Sequence, residues 1–497
     1  MTGQIFDIAI IGGGINGCGI ARDAAGRGQS VVLFEKGDLG SGTSSAATKL
    51  IHGGLRYLEK YEFGLVRESL KEREVLLQMA PHIIWPLRFI FPHQKGLRPA
   101  WLIHLGLMIY DYLGPRKMLA RSKSVNLREN PAGNYLHDNF IKGFEYSDCW
   151  VDDARLVILN AIDAEAKGAH IQPQTKVLSA KQEREIWIIR GKHSITKKEK
   201  FVKARALINA SGPWAGHTLK KNIMTRSESR LRLIRGSHIV VKKLFDHDYA
   251  YIFQNTDGRI IFSIPYEKHF TLIGTTDKEH FGIPEDVAIT QKEIDYLCRS
   301  AGKYFKKPIQ PNDVVWTFSG IRPLFDSGDK IPQKLTRDYV LTLENKNNTP
   351  PLLNVFGGKI TTYRCLAEDA LDKLSGPLGG LGKKWTRGAS LPGGDFPQDQ
   401  FNLLLENLIK EFSFLNSHDI HRMARAYGTR IYEMMDGASK IEDMGIAFGA
   451  GLYSKEVEYL IKSEWVTNVE DIIWRRSKLG LHMKKEEVEK LTAWMKN

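Results

Sequence analysis

The apolar positions of this chain change period along its length. Ile5 to Ile11 is a continuous, largely β-branched run, the pattern of a strand buried on both faces of a parallel sheet. Ile20, Ala21, Ala24 and Ala25 follow at helical spacing, Gly28 stops that helix, and Ser30 to Glu35 reads as a second strand. A helix is predicted over Glu68 to Met79. Trp101 to Leu113 is an apolar run broken by His104 and Asp111, shorter than the roughly 20 residues a bilayer requires. It reads as a buried helix. An interfacial helix is the functional alternative, because Trp101, Tyr110 and Tyr112 suit a lipid boundary and Arg98, Arg116 and Lys117 flank the run.

Asp152 is a predicted N-cap for a helix to about Lys167. Alternation over Ile171 to Ile189 predicts strands, and Ala204 to Ala210 is a second buried strand, ending in Ser211-Gly212. Strands follow at 231–241, 251–253, 259–265 and 270–277, with a helix at 296–305 and a buried strand at 352–356. A helix is predicted from Thr361 to Leu374. Gly376 to Gly394 reads as a linker. Beyond it the pattern is helical, over 401–412, 420–435, 455–462 and 486–495. Thr467 to Glu470 has a capping-box pattern, and Arg475-Arg476 reads as a solvated helix face.

The first strand runs into Gly12-Gly13-Gly14-Ile15-Asn16-Gly17. Gly12 permits a sharp turn, Gly14 a close approach to a pyrophosphate, and Gly17 close packing of helix on strand. A pyrophosphate then meets the unpaired N–H groups of the helix start. Glu35, ending the next strand, stands where a ribose would hydrogen-bond. A small, hydroxyl-rich loop follows, including Thr43, Ser44 and Ser45, and leads to Lys49-Leu50-Ile51-His52-Gly53-Gly54-Leu55-Arg56-Tyr57. Such a loop fits a long cofactor lying along it, FAD more than NAD.

These motifs resemble the FAD-dependent, respiratory glycerol-3-phosphate dehydrogenases. Residues 319–324 and 354–364 agree with the resemblance, which spans nearly the whole chain. It implies an α/β fold: a Rossmann-like FAD-binding domain with a strand-rich substrate domain and a C-terminal all-helical domain. On that reading residues 1–388 form the oxidoreductase region. FAD-binding segments lie at about 1–80, 145–216 and 345–375, the substrate domain is mainly 217–344, and 389–497 is helical. Cofactor contacts are expected from Gly12, Gly14, Gly17, Glu35, Thr43, Ser44, Ser45, Lys49, Leu50, Ser211, Gly212, Trp214, Gly357, Gly358, Lys359 and Thr361. The last segment, a glycine turn before a helix, suits the pyrimidine edge of a flavin. Asp153 and Arg155 are expected to be structural.

The resemblance implies oxidation of sn-glycerol 3-phosphate at C2 to dihydroxyacetone phosphate, with hydride passing to flavin N5 and electrons to a membrane quinone. A phosphate dianion requires cations, and Arg56, Arg322 and Lys359 are the candidates, with Tyr57 orienting substrate. His238 is the first choice for the base and His52 the second.

The 497 residues carry 71 Lys and Arg against 57 Asp and Glu, a net charge of +14. This favours anionic partners, here the substrate and an anionic membrane surface. No recognition motif for nucleic acid accompanies the local Lys/Arg clusters. Cys18, Cys149, Cys298 and Cys365 are scattered, so no metal site is expected. Without a signal-like N-terminus the expectation is a cytoplasmic protein, peripheral on the inner face of a membrane, with a homodimer as a possible assembly. An oxidase using oxygen, an amine or amino-acid oxidase of the same fold, and a basic RNA-binding flavoprotein are the competing readings.

Overall fold

The structure is a computed structural model and describes residues 4–94, 98–224, 231–255, 257–326, 338–345 and 349–496. Its first sheet is built on β1 (Ile5–Ile11), which pairs in parallel with β2 (Val31–Phe34) on one side and with strand Glu199–Asn209 on the other. Ile10 lies opposite Leu33 and Ile208, and all three are buried. Strand Leu352–Phe356 adds in parallel beyond Glu199–Asn209, and His170–Gln172 beyond β2. The continuous apolar runs of these strands follow from burial on both faces. On one face lie α1 (Ile15–Gly26) and helix Tyr363–Ser375, which join the largest apolar core. The expected linker is packed chain: Trp385 Nε1 donates to the Asp23 carbonyl, and the Leu391 amide to that of Met79.

A second sheet stands over the ends of these parallel strands. It draws on more of the N-terminal half than the sequence pattern indicates. β3 (Leu50–Ile51), β4 (Ile84–His93), β5 (Lys123–Asn126) and β6 (Lys142–Val151) join strands Leu231–Lys242, Ala250–Gln254, Ile260–Tyr266, Phe270–Gly274 and Val314–Phe325. The stretch 145–151, expected in the cofactor domain, is thus a strand of this sheet. Two helices connect these segments, α2 (Phe63–Met79) and α3 (Ala100–Tyr112). The predicted helix at 296–305 spans Gln291–Gly302 instead, because Thr290 and Glu293 form a capping box that starts it earlier.

After α4 (Asp153–Ala166), capped by the Asp152 side chain, the C-terminal region packs against the cofactor sheet's helices. Its helices include Phe401–Glu411, Ser417–Tyr427, Ser454–Glu464 and Lys485–Trp494, with a short two-stranded ribbon at Ala447–Gly449 and Leu452–Tyr453. The predicted helix over 420–435 breaks at Gly428, whose φ of +55° ends the first piece. The reciprocal cap lies one residue later than expected: Asn468 accepts from the Asp471 amide, and Asp471 from the amides of Thr467 and Asn468.

The expectation for Arg475-Arg476 is corrected. Arg476 is fully buried and both arginines pair with Asp38, at 2.5 and 2.8 Å, in the loop after β2. No helix among the described residues is long and apolar enough to cross a membrane, and no group of His, Cys, Asp and Glu there has the arrangement of a metal site.

Candidate active site

A cavity of about 680 Å³ opens where the parallel strands end. Ile11 and Gly12, Phe34 and Glu35, Ala210 and Ser211, and Gly357 and Gly358 line one side, each pair at the end of a strand of the first sheet. Tyr146, Ile252, Phe262 and Arg322 line the other, from the second sheet. Ligand crevices of α/β sheets form at such strand ends.

The glycine motif is built as its spacing predicts. Gly12 has φ of +113°, and a Cβ there would lie 2.5 Å from the Ala210 carbonyl oxygen. A Cβ on Gly17 would lie 1.9 Å from the Gly12 carbonyl oxygen, so any larger residue drives α1 off β1. The Glu35 carboxylate accepts from the Gly13 amide at 2.7 Å and the Gly37 amide at 2.9 Å, which fixes it beside the turn. Burial raises its pKa, against the pull of those two N–H groups. Ser44 Oγ accepts from the Ile15 amide at 3.0 Å, and Asn16 Nδ2 donates to the Gly357 carbonyl at 3.2 Å. The Thr-Ser-Ser loop and the Gly-Gly turn are thereby tied to the start of α1. Gly357 and Gly358 adopt φ of +73° and +96°, conformations that favour glycine. A glycine-cradled helix start, a buried carboxylate beside it and a second glycine turn on one cavity fit a dinucleotide.

The expected residues divide by position. Gly12, Gly14, Glu35, Thr43, Ser44, Leu50, Ser211, Gly212, Trp214, Gly357, Gly358 and Lys359 line the cavity, as do His52, Arg56, Tyr57 and Arg322. Gly17, Ser45, Lys49, Thr361 and His238 are not among the lining residues.

Lys49 turns its side chain away from the cavity. Its buried ammonium donates to the Ser45 carbonyl at 2.7 Å and to Asp153 at 2.7 and 2.8 Å, so it holds the loop to α4. Thr361 likewise turns its hydroxyl to the His52 backbone, accepting from the amide at 3.3 Å. His238 is buried, stacked on Phe318 at 4.6 Å, with Nε2 3.0 Å from Thr48 Oγ1. Burial, with Arg322 and Lys49 as neighbouring cations, pushes it well below the ordinary histidine range.

Several residues of the wall carry no recognisable motif. Asp277 pairs with Arg322 Nη1, and Thr275 accepts from Nη2 at 3.2 Å, which aims the guanidinium. Lys60 adds a cation to the lining. Lys36 lies 3.8 Å from the centre of the Trp214 ring and 2.5 Å from Glu285, joining three segments at the Glu35 end. Lys359 Nζ stands 3.9 Å from the centre of the Tyr57 ring. These contacts bring together residues distant in the chain, so spacing gives no sign of them.

The FAD dependent oxidoreductase family matches residues 7–364, and the C-terminal domain of alpha-glycerophosphate oxidase matches 385–496. A glycerol-3-phosphate dehydrogenase of Pseudomonas aeruginosa is 48% identical over 99% of this chain and 96% of its own length. A D-erythritol 1-phosphate dehydrogenase of Brucella abortus is 48% identical over 99% of this chain and 98% of its own. The crystal structure of a glycerol-3-phosphate dehydrogenase from Bacillus halodurans, complexed with FAD, is 26% identical with a TM-score of 0.79, covering 99% of this chain and 91% of that one. Strand-end glycines and matched domains lead to one assignment: the chain belongs to the FAD dependent oxidoreductases, among the FAD-dependent glycerol-3-phosphate dehydrogenases, with FAD as its cofactor.

Proposed function

We propose that the protein oxidises sn-glycerol 3-phosphate at C2 to dihydroxyacetone phosphate. The observation that carries this reading is the cavity wall: Arg56, Lys60, Arg322 and Lys359 line it together with His52. Four cations and a histidine on one cavity suit a phosphate ester whose neighbouring hydroxyl must lose a proton. FAD, held by the Gly12 turn, Glu35 and the Gly357-Gly358 turn, would supply the two-electron oxidation as a hydride acceptor.

The chain's own residues orient the substrate and move the proton. Arg322, held by Asp277 and Thr275, grips the phosphate, and Arg56 and Lys359 neutralise it. Tyr57, under Lys359, packs the carbon chain. His52 takes the C2 hydroxyl proton. His238, first in the sequence reading, reaches the cavity wall only through the Thr48 hydroxyl and orients it from behind.

The test is the anaerobic visible spectrum of the FAD-loaded protein. Adding glycerol 3-phosphate is expected to bleach the flavin band. A band that persists with this substrate but bleaches with D-erythritol 1-phosphate would favour the longer polyol phosphate, a second reading that the equal identity of the two relatives supports. Bleaching by amino acids alone would move the protein to the amine-oxidising branch.

Bound FAD would need an electron acceptor once reduced; we take that acceptor to be a membrane quinone and α3 to be the docking element. Trp101, Leu105, Met108 and Tyr112 stand on one face of that helix and are exposed, Trp101 and Tyr112 at 67% each, while Ile103, Leu107 and Tyr110 are buried. The sequence reading of a buried helix thus holds for one face, and the other is exposed. An apolar stripe ending in aromatic rings fits the lipid interface, and the net charge of +14 favours an anionic one. The variant Trp101→Ser/Met108→Ser is expected to lose binding to phosphatidylglycerol vesicles, read by co-sedimentation, while reducing a soluble dye at the parent rate. Binding equal to the parent's would remove α3 as the docking face. Rapid reoxidation by oxygen, with none by a soluble quinone, would make the enzyme an oxidase.

A further inference from the structure

We propose that Arg73, Asp148 and Tyr110 form a buried positioning unit for the segment His52 to Tyr57. The proposal rests on the reading of His52, Arg56 and Tyr57 as substrate-facing residues. Three elements supply it: Arg73 from α2, Tyr110 from α3 and Asp148 from β6. All three residues are buried.

Arg73 Nη1 donates to Asp148 Oδ1 at 2.7 Å and to the Ser147 carbonyl at 3.0 Å. The Tyr110 hydroxyl donates to the same Oδ1 at 2.7 Å and accepts from the Gly53 amide at 2.8 Å. That amide also lies 3.4 Å from Oδ1. A charged chain of hydrogen bonds therefore ends on one backbone N–H of the cavity loop. The pairing of β3 with β6 sets this up, since Ile51 opposite Cys149 delivers the next residues beside Asp148.

On the other side Thr361 Oγ1 holds the His52 amide and lies 3.4 Å from its carbonyl oxygen. His52 is therefore clamped at its own peptide group and at the next. The space allows no slack: a Cβ on Gly53 would fall 2.4 Å from Leu70 Cδ2 and 2.7 Å from the Tyr110 hydroxyl. Gly54 then turns with φ of +79° into the short helix Leu55–Lys60 that carries Arg56 and Tyr57. A buried ion pair is a poor source of net stability, because desolvation offsets its attraction. Its value here is geometric. An anion held by Arg73 polarises the tyrosine hydroxyl that fixes where the base and the phosphate-binding arginine begin.

Tyr110→Phe and Asp148→Asn test this. Each is read by FAD content, melting temperature, the anaerobic rate of flavin reduction by saturating glycerol 3-phosphate, and hydrogen exchange of the 50–57 segment. Tyr110→Phe keeps the ring and is expected to keep FAD, reduce about ten- to a hundred-fold more slowly, and exchange faster at 50–57. Asp148→Asn keeps an oxygen acceptor and is expected to lose less than Asp148→Ala. Reduction at the parent rate in Tyr110→Phe and Asp148→Asn would overturn the proposal, whatever their melting temperatures. If the parent itself is not reduced by a polyol phosphate, the proposed function fails. The exchange result still decides the clamp: protection at 50–57 equal to the parent's in both variants overturns it.

Discussion

His52→Ala is expected to slow flavin reduction by glycerol 3-phosphate by about a hundred- to ten-thousand-fold, the range for loss of a general base. FAD should remain bound, because the Gly12 turn, Glu35 and the Gly357-Gly358 turn do not depend on the imidazole. His238→Ala should cost less, with its loss passing through the Thr48 hydroxyl. Two features set the order. His52 lines the cavity and His238 does not. Burial and the charges of Arg322 and Lys49 also disfavour the protonated form of His238. The measurement is stopped-flow reduction of both variants under anaerobic conditions at saturating substrate. The reverse order, with His238→Ala the slower, would return the base to His238 and require its ring to leave Phe318 on substrate binding.

The backbone of this site was legible in the sequence wherever a glycine must stand. Gly17 is compelled from within its own motif, by the Gly12 carbonyl, whereas Gly12 and the Gly357-Gly358 turn are crowded by Ala210, Asp338 and Leu366 and were legible only through their place in a strand–glycine–helix pattern. Glu35 was legible for the same reason, at a fixed distance along a strand–helix–strand unit. Lys49 shows where this fails. It stands among cavity residues in the chain, but its side chain is directed by Asp153, which lies 104 positions away. The Asp277–Arg322 pair and the Arg73–Asp148–Tyr110 unit are assembled by strand register and helix packing, and neither leaves a pattern of spacing. His238 and His52 have the same chemistry, and their burial, their neighbours and their place relative to the cavity are not written in the spacing. Arg475-Arg476 looked like a solvated face because its partner, Asp38, belongs to the opposite end of the chain.

Glu464→Ala is expected to destabilise the fold by about 3–5 kcal/mol, the range for breaking a buried ion pair by removing one partner. Arg155 and Glu464 are both fully buried, and the Glu464 carboxylate takes Arg155 Nη1 and, at 3.0 Å, Nη2. The rest of the guanidinium's surroundings offer little more: Nε donates to the Ala426 carbonyl at 3.0 Å, and the group stands 5.1 Å from the Tyr427 ring centre. Alanine would leave that cation in a cavity with one backbone acceptor. Glu464 also contacts Arg476, whose Nε lies 3.5 Å from Oε2 and whose Nη2 donates to the Glu464 carbonyl at 2.6 Å. Arg476 in turn holds Asp38, three residues after Glu35. The damage should therefore reach the cofactor: a lowered melting temperature, on the order of 10 °C, with FAD released earlier in the transition. Arg155→Met/Glu464→Leu separates lost attraction from stranded charge. Filling the site with apolar side chains of similar size removes the desolvation cost together with the attraction, so the double variant should recover most of the melting temperature. A single variant that melts within about one degree of the parent would mean that water reaches Arg155 once the carboxylate is gone, contrary to the packing between α4 and the C-terminal helices.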